Sequence, residues 1–569
     1  MQPEEFPKDL PAKYYHSYFN QLITFVRQQY ESILNTDELA FLNRYQALSE
    51  DAQCLFIRFS NRRRAYFRSG QIHYDELNDI PASLHELLES GFISELQADQ
   101  ADRLAEILEL FTKPELLQVA KALEPEVMPI KSIKKADLVR WLNHEYDFSV
   151  LCSRLQDQEV IVKVNYELEF DLMKFLFFGN RYADMSEFIV RDLGHVRYES
   201  YDDQQYVVRF QSRKEMEDSL MVSLIKETFY TVQSEWLPEE IYDWFMNWYS
   251  GVTSDLSPKA RPSLNRFITR FGAWLEKKKL PNQALVAYQL TDAVPSRERR
   301  VRLLNKLGEI DEALALCQEI GENPQNADER FFSQDYTEKM LKKKKRAIKS
   351  TTQALKMADY IELDEDFRHR VELGAITFFQ QLGYDSFFSE NEPWRNLFGL
   401  LFWDIIYDTN VQAIHNPLQR IPSDFFLPDF YIKREAKLLQ KKNEIQDKQL
   451  LIDSVSNTYR QKLGITNVMV SWNEGALERV LKVIEHLTLE QLFAVLFEMA
   501  VNLRENTRGF PDILISKGTE YAFLEVKSPT DHLSAQQLHW QRFFEKHQIS
   551  SRIVRIRWQN TERTTADLQ

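Results

Sequence analysis

The stretch PDILISKGTEYAFLEVKSP, Pro511 to Pro529, constrains this chain more than any other part of it. Two short apolar runs, DILI and YAFLEV, flank a turn that contains glycine, which is the signature of a β-hairpin. Side chains along a strand alternate faces, so Glu525 and Lys527 share one face and Val526 takes the other. Runs this apolar belong in a core, where a lone charge is costly and a charge pair rarely adds stability. A carboxylate and an ammonium kept on one face of such a strand point to chemistry.

The rest of the chain bounds what that chemistry can be. At 569 residues it exceeds what a single core supports, so several domains are expected. An apolar fraction of 44% and an aromatic fraction of 13% exclude a disordered polymer. Cys54, Cys152 and Cys317 are far apart and form no CxxC, so neither a disulfide framework nor a zinc site is written here. That suits a reducing, cytoplasmic setting, and the N-terminus MQPEEFPKDL lacks the basic and then apolar order of a signal peptide. The longest apolar run, LFGLLFW, is too short for a bilayer, so no membrane role is expected. The net charge of −15 argues against indiscriminate nucleic-acid binding, except where positive charge is clustered.

It is clustered in three places. Residues 1–90 read as an N-terminal helical DNA-binding region whose key piece is LFIRFSNRRRAYFRSG, Leu55 to Gly70. At helical spacing Arg58, Arg62, Arg63, Arg64 and Arg68 would form a strip opposite Phe56, Phe59, Tyr66 and Phe67. The strip is either a solvated face or a row of forks for phosphate oxygens. Residues 91–235 contain FTKPELLQVAKALEPEVMPIKSIKKADLVRWL, which resembles a SAP module, a helix–loop–helix DNA-binding unit. Lys131, Lys134, Lys135 and Arg140 would edge its loop and second helix, where members of that family touch the DNA backbone. Residues 236–372 read as stacked helical hairpins of tetratricopeptide type. Ala284-Leu285 recurs as Ala313-Leu314 and Pro295 as Pro324, an offset of 29 residues against the usual ~34. Behind them the run Lys342 to Arg346 is a solvated face or an extension of the basic track.

Residues 373–569 complete the chain. The expected fold is therefore multidomain and mostly α-helical, with a C-terminal α/β core of the PD-(D/E)xK, restriction-endonuclease-like kind. In that pattern a Pro-Asp precedes Glu-x-Lys on the next strand. Hydrolysis of a phosphodiester calls for hard divalent cations, Mg²⁺ or Mn²⁺, held by carboxylate oxygens. Asp512 and Glu525 on neighbouring strands can converge on one cation, with the Val526 carbonyl as a further ligand. Lys527 then stands where charge develops. The chain also holds a decoy, Pro428-Asp429 before Glu435-Ala436-Lys437, but its gap is too short for strand, turn and strand, and KREAKLLQKK reads as helix.

RGFPDILISKGTEYAFLEVKSPTDHLSAQQLHWQRFFEKHQISSRIVRI closely resembles the VRR-NUC domain of the Fanconi-associated nuclease family. LFGLLFWDIIY, Leu397 to Tyr407, is similar to that family's buried helix, and the upstream order of arginine-rich helix, SAP-like hairpin and repeat helices matches as well. The resemblance implies Asp512 and Glu525 as metal ligands and Lys527 as the catalytic lysine. It also places an additional acidic metal ligand on Glu390 rather than Glu392, and gives Gln537 the task of orienting a phosphate or water. Animal relatives begin with a ubiquitin-binding zinc finger. No Cys/His set here builds one, so the resemblance is to bacterial members.

What the resemblance implies is a metal-dependent, structure-specific enzyme that cuts 5′-flap and branched duplex DNA. It would also degrade from 5′ ends and act in interstrand crosslink repair. Two rivals stay open on the residues alone: a Holliday-junction resolvase or restriction-type endonuclease on the same core, and a non-enzymatic helical-repeat adaptor.

Overall fold

A computed structural model describes residues 9–62, 64–96, 103–123, 132–156, 159–201, 206–252, 255–341 and 349–559. The chain divides into two compact units, Met1–His195 with Val208–Met216, and Val196–Val207 with Glu217–Gln569. No helix among the described residues is long and apolar enough to cross a membrane.

In the first unit, helix α1 (Tyr14–Tyr30) buries Tyr15, Tyr18, Phe19, Leu22, Ile23, Val26 and Tyr30, the three-and-four spacing of an amphipathic helix. Helix α2 (Glu50–Ser60) starts on the Ser49 side chain, which accepts from the Ala52 N–H. It ends at Asn61, so the arginine-rich segment is not one helix. Tyr66–Arg68 forms strand β1 in a three-stranded antiparallel sheet of order β1-β3-β2, with β2 Ile93–Glu95 and β3 Ile161–Val164. This sheet draws on both sides of the 90/91 boundary that composition suggested. Helices α3 (Lys113–Leu123) and α4 (Lys135–Glu145) bury Leu116, Ala120, Leu138 and Leu142 against one another.

In the second unit, helices α5 (Arg261–Lys277), α6 (Pro281–Gln289), α7 (Ser296–Leu307) and α8 (Ile310–Glu322) pack as successive neighbours. The echoed residues Ala284 and Ala313 are both fully buried, where a larger side chain would hold the helices apart. Further along lies a five-stranded sheet of order β4-β8-β7-β6-β5: β4 Asp359–Asp364, β5 Asp385–Phe388, β6 Ile513–Lys517, β7 Glu520–Lys527 and β8 Ser551–Gln559. β4, β8 and β7 run parallel, while β6 and β5 pair antiparallel. Its first strand lies ahead of the expected 372/373 boundary, because β4 finds its partner β8 nearly two hundred residues later.

Helix α9 (Val371–Gln381) covers one face of the sheet, with Ala375, Ile376 and Phe379 against Ile513, Leu524, Val526, Val554 and Ile556. On the other face, Trp394 of helix α10 (Glu392–Leu401) and Phe544 of helix α11 (Ala535–Lys546) pack on Phe523. The β6–β7 turn uses Gly518 at φ +63°, the left-handed backbone that a two-residue hairpin loop needs.

Candidate active site

The hairpin register decides which side chains meet. Ile513 pairs with Leu524 and Leu514 with Phe523, so Asp512 faces Glu525 across the two strands, on the face opposite α9. The Val526 N–H donates to Asp512 Oδ2 at 2.7 Å. Lys527 Nζ lies 2.7 Å from Glu525 Oε1. That ammonium meets the carboxylate oxygen as a charge and not along a hydrogen-bond direction, so buried Glu525 Oε1 has no directed donor. The expected residues Asp512, Glu525, Val526 and Lys527 thus converge, and all four are buried.

Burial dominates the electrostatics. It pushes the Asp512 carboxyl up to about 7; the Val526 N–H and Lys527 pull it down, while Glu390 and Glu372 push it further up. Burial and then the Asp512 charge raise Glu525 well above the usual carboxylate range. Burial works against the Lys527 ammonium, but Glu525 and Asp512 outweigh it and raise its pKa. Two carboxyl groups that resist joint ionisation, one with an orphaned oxygen, fit a divalent cation, whose charge would remove the penalty. Among the described residues no three His, Cys, Asp or Glu side chains already form a closed cage. The arrangement is two carboxylates and a backbone carbonyl, with Glu390 in electrostatic reach.

The loop that carries Asp512 is held from several sides. Phe510 stacks between Trp394 and Trp540, with ring centroids at 4.9 and 4.0 Å, and the Trp540 indole N–H donates to the Arg508 carbonyl. Fully buried Ser389 donates from its N–H to the Asp512 carbonyl and from its hydroxyl to the Pro511 carbonyl. Gly509, at φ +81°, lets the N-terminal turn of α11 approach, since a Cβ there would sit 2.9 Å from Gln536 Cγ and 3.1 Å from the backbone beyond it.

The remaining expected residues fall out as follows. Glu390 is exposed beside the site, whereas Glu392 is committed to Arg479 at 2.8 Å. Gln537 departs from expectation: with Ser534 it forms the capping box of α11, its side-chain oxygen accepting from the Ser534 N–H at 2.9 Å. That oxygen serves the helix start and not a phosphate or water. Arg58 is turned inward, bonded to Glu76 at 2.6 and 3.0 Å and stacked 4.1 Å over Tyr15. Arg68 is clamped by Glu115 and Glu159. Arg62 lies over Tyr74, and Arg64 is exposed. Lys134 is exposed, Lys135 pairs with Glu109, and Arg140 pairs with Asp137. Arg63, Lys131 and the run from Lys342 to Arg346 lie outside the described residues.

Sequence reasoning missed two groups. Glu372, on the first turn of α9, adds to the field on Asp512. A cationic group, Lys226, Arg266, Arg270 and Arg504, also gathers in this unit. Burial and then Arg504 and Arg270 lower the Arg266 pKa; burial and then Arg266 and Arg270 lower that of Lys226. Arg266 is open to solvent at its surface, so the mutual repulsion is the firmer part of that shift. No local spacing unites residues 226, 266 and 504. Only the pair Arg266 and Arg270, one helical turn apart, was visible beforehand.

Known proteins share this arrangement. The description "FAN1, HTH domain" matches residues 13–94, and "VRR-NUC domain" matches residues 447–558. The chain is similar to the Fanconi-associated nuclease 1 homolog of Pseudomonas aeruginosa, 24% identical over 567 residues that cover 96% of this chain and 97% of that one. It is also similar to the homolog from Arabidopsis thaliana, 25% identical, with 95% of this chain and 67% of that one covered. A crystal structure of paFAN1 bound to a 2-nucleotide 5′ flap DNA with a gap shares the fold, with TM-score 0.80, 23% identity, and coverage of 97% of this chain and 100% of that one.

Proposed function

We propose a mechanism and a substrate on the premise that this chain belongs to the Fanconi-associated nuclease family and is a structure-specific DNA nuclease. It depends on a divalent cation, which we take to be Mg²⁺ or Mn²⁺. Asp512, Glu525 and the Val526 carbonyl would hold that cation, with Glu390 closing the set. When bound, it supplies Lewis acidity at the scissile phosphate. The carboxylates must be ionised to bind it, so the proton that burial keeps on this pair leaves on loading. Lys527, held in place by Glu525, lies where the negative charge of the pentavalent phosphorus grows and stabilises it there. Ser389 and the Trp394–Phe510–Trp540 stack keep Asp512 aimed and exclude water from behind it.

The observation that carries this reading is the meeting of Asp512, Glu525 and Lys527 on one face of the β6–β7 hairpin, at the carboxyl end of β7. The substrate we propose is 5′-flapped and branched duplex DNA, with additional 5′-to-3′ exonuclease action and a role in interstrand crosslink repair in the cytoplasm. The crystallised relative carries such a flap. The Lys226, Arg266, Arg270 and Arg504 group offers a phosphate-binding patch to it, because cations that depress one another accept an anion readily. The test is cleavage of a 5′-labelled flap, titrated separately with Mg²⁺ and Mn²⁺ and repeated with chelator. Cleavage that survives chelation, or none with either ion, would overturn the reading.

A further inference from the structure

On the active-site face of the sheet the row does not stop at Lys527. In the parallel β7–β8 register Lys527 lies beside Arg555, and in the β8–β4 register Arg555 lies beside Tyr360. Aligned residues of parallel strands point the same way, with neighbouring strands ~4.8 Å apart. Lys527, Arg555 and Tyr360 therefore form one line across three strands, and Arg557 stands one step further along β8 on the same face. The Arg555 guanidinium donates to the Tyr360 hydroxyl at 3.1 Å and to the Pro529 carbonyl at 3.4 Å, just past the catalytic lysine. The two guanidinium groups share one ring, at 5.5 Å (Arg555) and 4.0 Å (Arg557) from the Tyr360 centroid.

The ring and these bonds keep both forks flat and extended while leaving their charge uncompensated. Among the described residues neither guanidinium is ion-paired, although Glu362 stands opposite Arg557 in the register and Asp531 lies near Lys527. Arg552, the remaining arginine of the strand, pairs instead with Asp359. Arg557 and Tyr360 are exposed and Arg555 is half-buried. Fixed guanidinium planes without a carboxylate suit an anion with paired oxygens. The parallel strands present their carboxyl ends together, the usual place for a ligand in such a sheet.

We propose that Arg555 and Arg557, held on Tyr360, form a ledge for the phosphodiester backbone of the strand being cut, taking the phosphates next to the scissile one. This rests on the nuclease reading for the identity of the anion. The ledge positions the strand; Lys527 and the carboxylates perform the chemistry.

The test uses the full chain and a labelled 5′-flap duplex, with binding measured in EDTA across a salt series. For Arg555→Ala/Arg557→Ala the log–log salt slope should flatten by roughly 1 to 2, at about 0.9 per duplex contact and 0.7 per single-strand contact. The KM for flap cleavage should rise about tenfold, by more than kcat falls. Arg555→Lys/Arg557→Lys should recover the slope but only part of the affinity, since the charge returns without the fork. Tyr360→Ala should weaken binding and leave the slope as in the parent, because both charges remain. A parent-like slope and KM in the double alanine variant would overturn the ledge. So would a fall in kcat with binding intact, which would make Arg555 a support for Lys527. Failure of the parent chain to cut with any divalent ion would sink the nuclease reading alone, because the binding slopes are read without metal.

Discussion

In the β6–β7 hairpin the charges stand where alternation puts them: Asp512, Glu525 and Lys527 on one face, two residues or one strand apart, with Val526 between. In the first unit the arginines between positions 58 and 68 look equally deliberate in the sequence and end up dispersed. Arg58 is bonded to Glu76, Arg68 is clamped by Glu115 and Glu159, and the helix that was to align them stops at Ser60. The difference lies in where the partners come from. A hairpin brings its own partner within a few residues, whereas a guanidinium becomes structural or functional according to carboxylates that arrive from far along the chain.

The largest effect that tests this contrast is on turnover. Asp512→Ala and Lys527→Ala should each lower single-turnover flap cleavage by roughly three orders of magnitude or more with DNA binding retained, since both act on the charge of the reacting phosphate. Asp512→Ala also relieves a buried carboxylate pair, so the metal-free protein should melt no lower than the parent; a lower melting temperature would mean that the pair is structural.

Next comes Glu390 against Glu392. Glu390→Gln should raise the metal concentration needed for half-maximal cleavage about tenfold or more, the cost of one weakened ligand. Glu392→Gln loosens only the contact with Arg479 and should leave the metal requirement alone. Reversed results would reassign the ligand.

The pH response follows from burial. Asp512 titrates near 7 in the folded chain and near 4 when unfolded, so between those values the folded state binds more protons. Its contribution to metal-free stability is therefore greatest at low pH and is lost as pH rises through 7. A thermal melt series from pH 4 to 8 should show that loss in the parent and a flatter profile in Asp512→Ala. At limiting metal, cleavage should climb with pH through about 7 and the inflection should move down as metal is raised, because the cation competes with the proton.

The smallest effects belong to the first unit. Neutralising Arg62 with Arg64, or Lys134 with Lys135, should flatten the salt dependence of flap binding by about one contact's worth, ~0.9. Arg58→Ala should leave that slope alone and cost about 1–2 kcal/mol in a denaturant melt, through its lost bonds to Glu76 and Tyr15. A flattened slope in Arg58→Ala would return it to the DNA track.

Legibility follows the same division. The hairpin, the motif and the buried helix around Leu397–Leu401 could be read because each rests on local periodicity and turn chemistry. β4 could not, since an edge strand reading DYIELD gains its identity only from β8. Gln537 resembled a site residue because it follows the motif strand, yet three residues after Ser534 it is also the reciprocal half of a helix start. Glu372 and the cluster around Arg266 depend on folding to become neighbours at all.

The strand order has a consequence for how the enzyme is made. β8 lies between β4 and β7, so until it inserts, β4 has no neighbour and β7 is an open edge. A ribosome has by then already released Glu390, Asp512, Glu525 and Lys527, and at 5–20 residues per second β8 follows within seconds. Every chemical group of the site exists before the scaffold that holds it. Vectorial synthesis thus keeps the hydrolytic centre unassembled while the DNA-contacting parts fold, and a chain halted before β8 carries the complete motif without a working blade.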